Sequence, residues 1–287
     1  MFHIIMNPVS GKKKALKNFE KVESLLVDRN VEYEVHKTCA VRDAEDITRH
    51  LTGQGENDLV VFGGDGTLHE VLNGIEKPEE CRLGLVPSGT GNDFAEKIGI
   101  PLQADKAMLR ILDGEAKPID YLDVGGVRCM NVAGVGMDVD VLERCQKGKM
   151  RGKLKYLSSL LQSLFAFKGY PIVMCKDGKE ERHDALLAAA CNGSQFGGGI
   201  PICPAAEVDD GLMNVVLVDC IGGKFKLVRA LLTLLKGKIL EYQKTTHFLC
   251  DRIRFEPLVP CTVQLDGELY KNLPFDVKIC KGLKMYR

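Results

Sequence analysis

The chain has 287 residues, 45% hydrophobic and 27% charged, a composition that suits a folded protein with one large core or two moderate ones, and two are expected. Thirty-nine basic side chains balance thirty-nine acidic ones, which excludes a global field for nucleic acid, so any affinity for phosphate has to come from a local site. The eleven cysteines are scattered singly, without CxxC or Cys/His metal spacing, the N-terminus lacks a basic region followed by a long apolar one, and no window approaches the roughly 18 apolar residues of a membrane span; a cytoplasmic protein without a disulfide framework is expected.

Short apolar runs open the chain. Residues 2–6, 32–36, 58–62 and 82–86 read as strands, three of them nearly continuous in apolar residues, as strands buried on both faces should be. Between them, residues 15–28 set Leu16, Phe19, Val22 and Leu26 on one helical face, and 43–51 form a shorter helix. This β-α-β-α rhythm predicts a Rossmann-like parallel α/β domain over 1–122. Beyond it the runs are strand-like, and Asp177-Gly178 and Asp266-Gly267 are hairpin-turn signals. A mainly antiparallel β-sandwich domain is therefore expected over 123–287, with the extreme C-terminus returning to the first domain as an open alternative.

The stretch "DLVVFGGDGTLHEVLNG" ends a strand at Phe62 and is expected to begin a helix after Thr67. Strand, glycine turn and helix start in that order aim backbone N–H groups and the positive helix end at one point, and glycine lets a phosphate approach. Taken alone, the turn also suits a tight βα connection. "NPVSGKK" follows the first strand and "PSGTGNDFA" the fourth, so three loops at carboxyl ends of strands are rich in Gly, Ser, Thr and Asn, the edge where open parallel sheets bind ligands. Neither G-x-x-x-x-G-K-[ST] nor G-x-G-x-x-G occurs, so the phosphate site is of another kind. Asp65 and Asp93 beside such a cradle would repel a nucleotide unless a divalent cation, Mg²⁺ bound to that nucleotide, lay between them.

Together, "GGDGTLHEVLNG", "PSGTGNDFA", "NPVSGK", "FGGGI" with "DDGLMNV", and "LDGE" resemble the diacylglycerol kinase catalytic domain of soluble bacterial lipid kinases, a group similar to sphingosine kinases and more remotely to NAD kinases and phosphofructokinases. The resemblance runs from Asn7 to Glu268. It implies ATP-dependent phosphoryl transfer to a lipid hydroxyl, with diacylglycerol the expected acceptor. It further implies that the nucleotide lies on Asn7, Pro8, Val9, Ser10, Gly11, Lys12, Thr38, Gly63, Gly64, Asp65, Gly66, Thr67, Leu68, His69, Thr90 and Asn92. Asp65, Asp93 and Asp120 would hold catalytic magnesium. The carboxylate of Asp210 with the carbonyls of Glu207 and Leu212 would hold a structural metal, although Val208 and Asn214 stand where family members often carry other residues.

The general base is expected in "TVQLDGELY", with Glu268 first and Asp266 orienting it or the hydroxyl, or the reverse, because residues two apart in an extended segment project to one side. Acidic residues also occur there for turn propensity alone. His69 has two readings, a phosphate or ribose contact and a solvated helix histidine. Amphipathic segments at 152–167, preceded by basic residues at 147–155, and at 224–240 read as sheet-covering helices or as surfaces for the inner face of a membrane, where the lipid substrate is met peripherally. A homodimer is left open. Rival readings are a kinase for a sphingoid, monoacylglycerol or phosphatidylglycerol acceptor, an NAD kinase, and an inactive nucleotide sensor; "PSGTGNDFA" weighs against the NAD kinase, and Asp65, Asp93, Asp266 and Glu268 together weigh against the sensor.

Overall fold

The computed structural model describes residues 1–147, 163, 169–220 and 222–287. The expected helix at 152–167 and the basic residues at 148–155 lie outside the described residues, apart from Ser163. The chain divides into two compact units, Met1–Tyr121 with Lys281–Arg287, and Leu122–Cys280.

The first unit runs β1 (Phe2–Met6), α1 (Ser10–Asp28), β2 (Tyr33–Lys37), α2 (Asp43–Gly53), β3 (Asp58–Gly63), α3 (Asp65–Gly74), β4 (Arg82–Pro87), α4 (Asp93–Lys97) and α5 (Ala104–Asp113). Strand β1 pairs in parallel with β2 on one side and β3 on the other, and β3 pairs in parallel with β4. The apolar runs are buried as expected: Ile4, Ile5, Leu59, Val60, Val61 and Phe62 are fully inaccessible. Strand β2 has β1 as its partner and none of its residues is fully buried, as befits a sheet edge. Helix α1 buries Ala15, Asn18, Phe19, Val22 and Leu26, a stripe turned by one residue from the expected one, so Leu16 gives way to Ala15. Phe19 meets Phe62 edge to face at 5.6 Å between centroids and so fixes α1 on the sheet.

The second unit holds the end of β5 (Ala116–Val124), then β6 (Val127–Cys129), β7 (Val132–Gly136), α6 (Met137–Lys147), β8 (Tyr170–Lys176), β9 (Lys179–Cys191), β10 (Met213–Asp219), α7 (Lys224–Leu235), β11 (Thr245–Cys250), β12 (Arg252–Pro257), β13 (Thr262–Leu265), β14 (Glu268–Lys271) and most of β15 (Phe275–Tyr286). Its pairings are antiparallel, with β9 flanked by β7, β8 and β10. One core gathers around the Phe255–Phe275 stack, and another lies where α7 covers β9 and β10 through Ala230, Leu231 and Leu234. Both Asp-Gly pairs form two-residue hairpins: Lys176 pairs Lys179 around Asp177 (φ 51°) and Gly178 (φ 76°), and Leu265 pairs Glu268 around Asp266 (φ 52°) and Gly267 (φ 92°). Two successive positive φ angles are what a type I′ turn requires, and its twist matches that of the strands it joins. The last residues of β15 belong to the first unit, where Lys284 and Met285 pair in parallel with Arg82 and Leu83 of β4.

Candidate active site

In the first unit the loops after β1, β3 and β4 are bonded to one another. Asn7 donates its side-chain amide to Thr67 Oγ1 at 3.3 Å, and Ser10 donates to the Ser88 carbonyl at 3.4 Å. Asn18, buried on α1, donates to Ser88 Oγ at 2.8 Å. Gly11, Lys12 and Lys13 then turn with φ of 55°, 60° and 71°, and a side chain at Gly11 would run into the Ser88 carbonyl. Three left-handed residues in a row, two bearing side chains, store strain of the kind found at ligand sites. Lys12 and Lys13 are exposed on this turn. Thr38, at the end of the edge strand, is buried and donates its N–H to the Met6 carbonyl.

The glycine turn departs from expectation in an informative way. Helix α3 begins at Asp65 rather than after Thr67, with Gly64 as its N-cap in extended conformation and no side-chain cap. The cap thus adds no side chain over the amides of the first turn, which the helix itself leaves without intrahelical acceptors. Gly64 lies against Gly89 of the β4 loop, and a Cβ on Gly64 would stand 2.8 Å from the Gly89 Cα. The glycines therefore serve close approach of two loops as well as any phosphate.

Asp65 locks that approach. Its carboxylate accepts the Asn92 N–H at 2.8 Å and the Phe94 N–H at 3.2 Å, so it caps α4 from another element. Asn92, left-handed at φ 60°, has its side chain engaged with Gly89, accepting the N–H at 2.9 Å and donating to the carbonyl at 3.2 Å. Thr90 stays exposed at the tip. Asp93 and Asp120 are 5% and 4% exposed. Carboxyl groups so buried are kept where partners or a cation compensate their desolvation. Uncapped amides, a strained basic turn and three acidic side chains in one unit fit a nucleotide phosphate with a divalent cation. His69 is buried at 2% exposure, with Asn73 donating to its carbonyl at 2.9 Å, so the solvated-histidine alternative does not hold.

In the second unit, Asp266 is committed to structure. Its Oδ2 accepts the Met130 N–H at 2.8 Å, while its Oδ1 accepts the Asn131 and Val132 N–H groups at 2.7 and 3.3 Å and the Cys129 thiol at 3.2 Å. Burial first, and Asp266 second, push the Cys129 thiol well above its ordinary range, so it stays protonated as a donor. Asp266 and Glu268 do not share an extended segment, since the turn falls between them; Glu268 is exposed as the first residue of β14. Asp210, exposed, accepts the Leu212 N–H at 2.9 Å on one oxygen, and Glu207 is exposed beside it. Val208 is buried at 2% exposure, and Asn214 packs inside with its Oδ1 accepting from His247 Nε2 at 2.9 Å, so core packing accounts for both departures from the family pattern.

One group escaped the sequence reading. Asp138, in the first turn of α6, is 4% exposed beside Gly134 and Gln264. Burial pushes its carboxyl up to about 7, although Gln264 and the Val139 N–H act in the other direction. The sequence signal is an apolar strand ending in Gly-x-Gly and running directly into a helix whose second residue is acidic.

The description "diacylglycerol kinase catalytic domain" matches residues 1–124, and "YegS C-terminal NAD kinase beta sandwich-like domain" matches 131–284. A diacylglycerol kinase of Mycobacterium tuberculosis is 30% identical, over 95% of this chain and 90% of its own length. This chain belongs to the diacylglycerol kinase family of lipid kinases. Members of this family are phosphotransferases that use ATP and usually a divalent metal. A Bacillus subtilis diacylglycerol kinase is 27% identical over 94% of this chain and 90% of its own, and a Xanthomonas campestris relative, 30% identical over 97% and 94%, carries the broader name "Probable lipid kinase YegS-like". The crystal structure of a diacylglycerol kinase from Bacillus anthracis has a TM-score of 0.76 at 22% identity, covering 99% of this chain and 96% of that one, which carries the fold alone. Among the described residues, no helix of this family member is long and apolar enough to cross a membrane.

Proposed function

We propose that this lipid kinase phosphorylates the free hydroxyl of diacylglycerol, using ATP with Mg²⁺. The observation that carries the reading is the Asp65 lock, which holds the uncapped start of α3 against the loop of Gly89 and Asn92. Such pre-organisation supports phosphate binding by backbone amides without the side-chain lysine loop of P-loop enzymes. When bound, the nucleotide supplies the γ-phosphoryl group and the cation offsets charge between phosphates and carboxylates. Asp65, Asp93 and Asp120 would hold that cation directly or through water, and Asp210 with the Glu207 and Leu212 carbonyls a structural one. Lys12 attracts the phosphates, and Glu268, exposed on its hairpin, takes the proton from the acceptor hydroxyl. The printed names of the Mycobacterium and Bacillus relatives support diacylglycerol as acceptor.

Helix α7 supports contact with a lipid surface. Its inner face is buried, yet Phe225 is 94%, Leu232 52% and Leu235 41% exposed, interleaved with Lys226, Arg229 and Lys236. The deciding experiment is transfer of labelled phosphate from ATP to a lipid panel in mixed micelles. Diacylglycerol is expected to take the label; labelling confined to a sphingoid, monoacyl or phosphatidylglycerol acceptor moves the substrate, labelling of NAD alone moves the family branch, and nucleotide binding without transfer makes the protein a sensor.

A further inference from the structure

Three metal-ligating side chains that phosphoryl transfer does not use converge on the edge of the parallel sheet. Strands β1 and β2 run in parallel with His3 opposite Glu34, and His36 follows two residues later, so all three project from one sheet face. His3 is 2% exposed. Its Nδ1 lies 3.1 Å from His36 Nε2, and the Glu34 carboxylate oxygen lies 3.8 Å from each of those nitrogens. A triangle with these edges lets one ion sit about 2.1 Å from all three corners, the bond length zinc takes with imidazole nitrogen and carboxylate oxygen.

The far side of His3 is equally suited. Its Nε2 is 3.0 Å from a carboxylate oxygen of Glu56, in the segment after α2. Donation of Nε2–H to Glu56 fixes the tautomer and turns the Nδ1 lone pair towards His36, the carboxylate–histidine arrangement that orients metal-bound imidazoles. The two rings are stacked, with centroids 5.4 Å apart. Without an ion, two imidazoles this close have to share one proton between facing nitrogens.

We propose that His3, His36 and Glu34 bind a divalent transition-metal ion of the zinc, cobalt or nickel class, with Glu56 as the positioning carboxylate of His3 and water as the fourth ligand. Two nitrogen donors select against Mg²⁺ and Ca²⁺, which separates this site from nucleotide magnesium. On binding, the proton between the rings leaves His36 Nε2 for its Nδ1, so both ligands are neutral imidazoles and nothing is oxidised or reduced. The ion ties β1, the edge strand and the segment after α2 together, and this role is independent of the lipid acceptor.

The test is titration of the full chain with Co²⁺, followed by visible absorption, then displacement by Zn²⁺, alongside thermal unfolding with each metal. The parent is expected to bind one equivalent with the spectrum of nitrogen and oxygen ligands, to gain thermal stability from Zn²⁺, and to keep both in excess Mg²⁺. Glu34→Gln and His36→Asn, which alter half-buried or exposed side chains, are expected to lose that equivalent, Glu56→Gln to weaken it about 10- to 100-fold, and His183→Asn, at a separate histidine–carboxylate pair, to leave it intact. Equal binding by folded parent and His36→Asn overturns the site. So does a sulfur-to-cobalt charge-transfer band, which would move the metal to a cysteine, and so does the absence of any binding to the folded parent.

Discussion

At the scale of single residues, the two acidic groups of the hairpin between β13 and β14 differ in what surrounds them. Asp266 accepts three backbone N–H groups and a thiol, all from residues 129–132, more than a hundred positions away. Asp266→Asn places an N–H donor where Oδ2 or Oδ1 met donors, leaving at least one buried amide of that segment unpaired at a cost of roughly 1–3 kcal/mol. Glu268 is exposed. Glu268→Gln is accordingly expected to keep the parent's thermal stability and to lower kcat by roughly 10²- to 10⁴-fold with ATP affinity little changed, whereas Asp266→Asn is expected to lower the melting temperature first and activity with it. Kinetics on the lipid acceptor, paired with calorimetry, separate the two; a parent-like kcat for Glu268→Gln puts the base elsewhere, and a parent-like melting temperature for Asp266→Asn removes its structural role. Glu268 as base is the expectation "LDGE" already carried, but the structural role of Asp266 could not be reached from it, because the partners that occupy Asp266 are remote in sequence.

Among the elements, those with a local signature were legible and those set by long-range contact were not. Continuous apolar runs announced β1, β3 and β4, and the Asp-Gly pairs announced both hairpins, since each signal lies within the element. The start of α3 was missed by three residues because its N-cap is Gly64, which offers no capping side chain to read. The Asp65 cap of α4, the Gly64–Gly89 contact and the His3–Glu34–His36 cluster depend on which strands are neighbours and in what register, and a single sequence carries neither. Helix α7 is a middle case: helical spacing was evident, but only the structure separates its buried side from Phe225, Leu232 and Leu235. If those side chains and the adjacent Lys226, Arg229 and Lys236 meet an anionic bilayer, inserting one phenylalanine contributes roughly 1.5–3 kcal/mol, and each nearby cation about 1 kcal/mol that salt weakens. Phe225→Ser is therefore expected to lower partition onto phosphatidylglycerol-containing vesicles by about tenfold or more without changing the far-ultraviolet circular dichroism. Partition that is equal for parent and variant, and indifferent to salt, would leave α7 with a packing role only.

Across the whole molecule, acid and base groups are balanced at a formal net charge of +0, so the pH dependence of stability follows from a few displaced groups rather than from global repulsion. Two carboxyls pull in opposite directions. Arg252, bonded to Asp276 through two nitrogens at 3.1 and 2.7 Å, holds that carboxyl below its ordinary range, which stabilises the fold above the unfolded pKa and is lost as pH falls; the pair is largely solvated, so its contribution is small. Asp138 is the opposite case, raised to about 7 from 3.8 by burial. The folded chain then binds more protons than the unfolded one between those values, so its contribution is fully present below about 4 and declines as pH rises to about 7. Over that window the loss is on the order of 4 kcal/mol, large against the 5–15 kcal/mol that holds a typical domain together. Asp138→Asn removes the ionisation while keeping the shape and the contact with Gln264. Its stability relative to the parent is expected to rise steadily from pH 4 to 7 and to level off above, measured by denaturant unfolding across that range. A difference between variant and parent that stays constant with pH would show that Asp138 titrates at its ordinary value and that burial of its carboxyl is relieved by solvent.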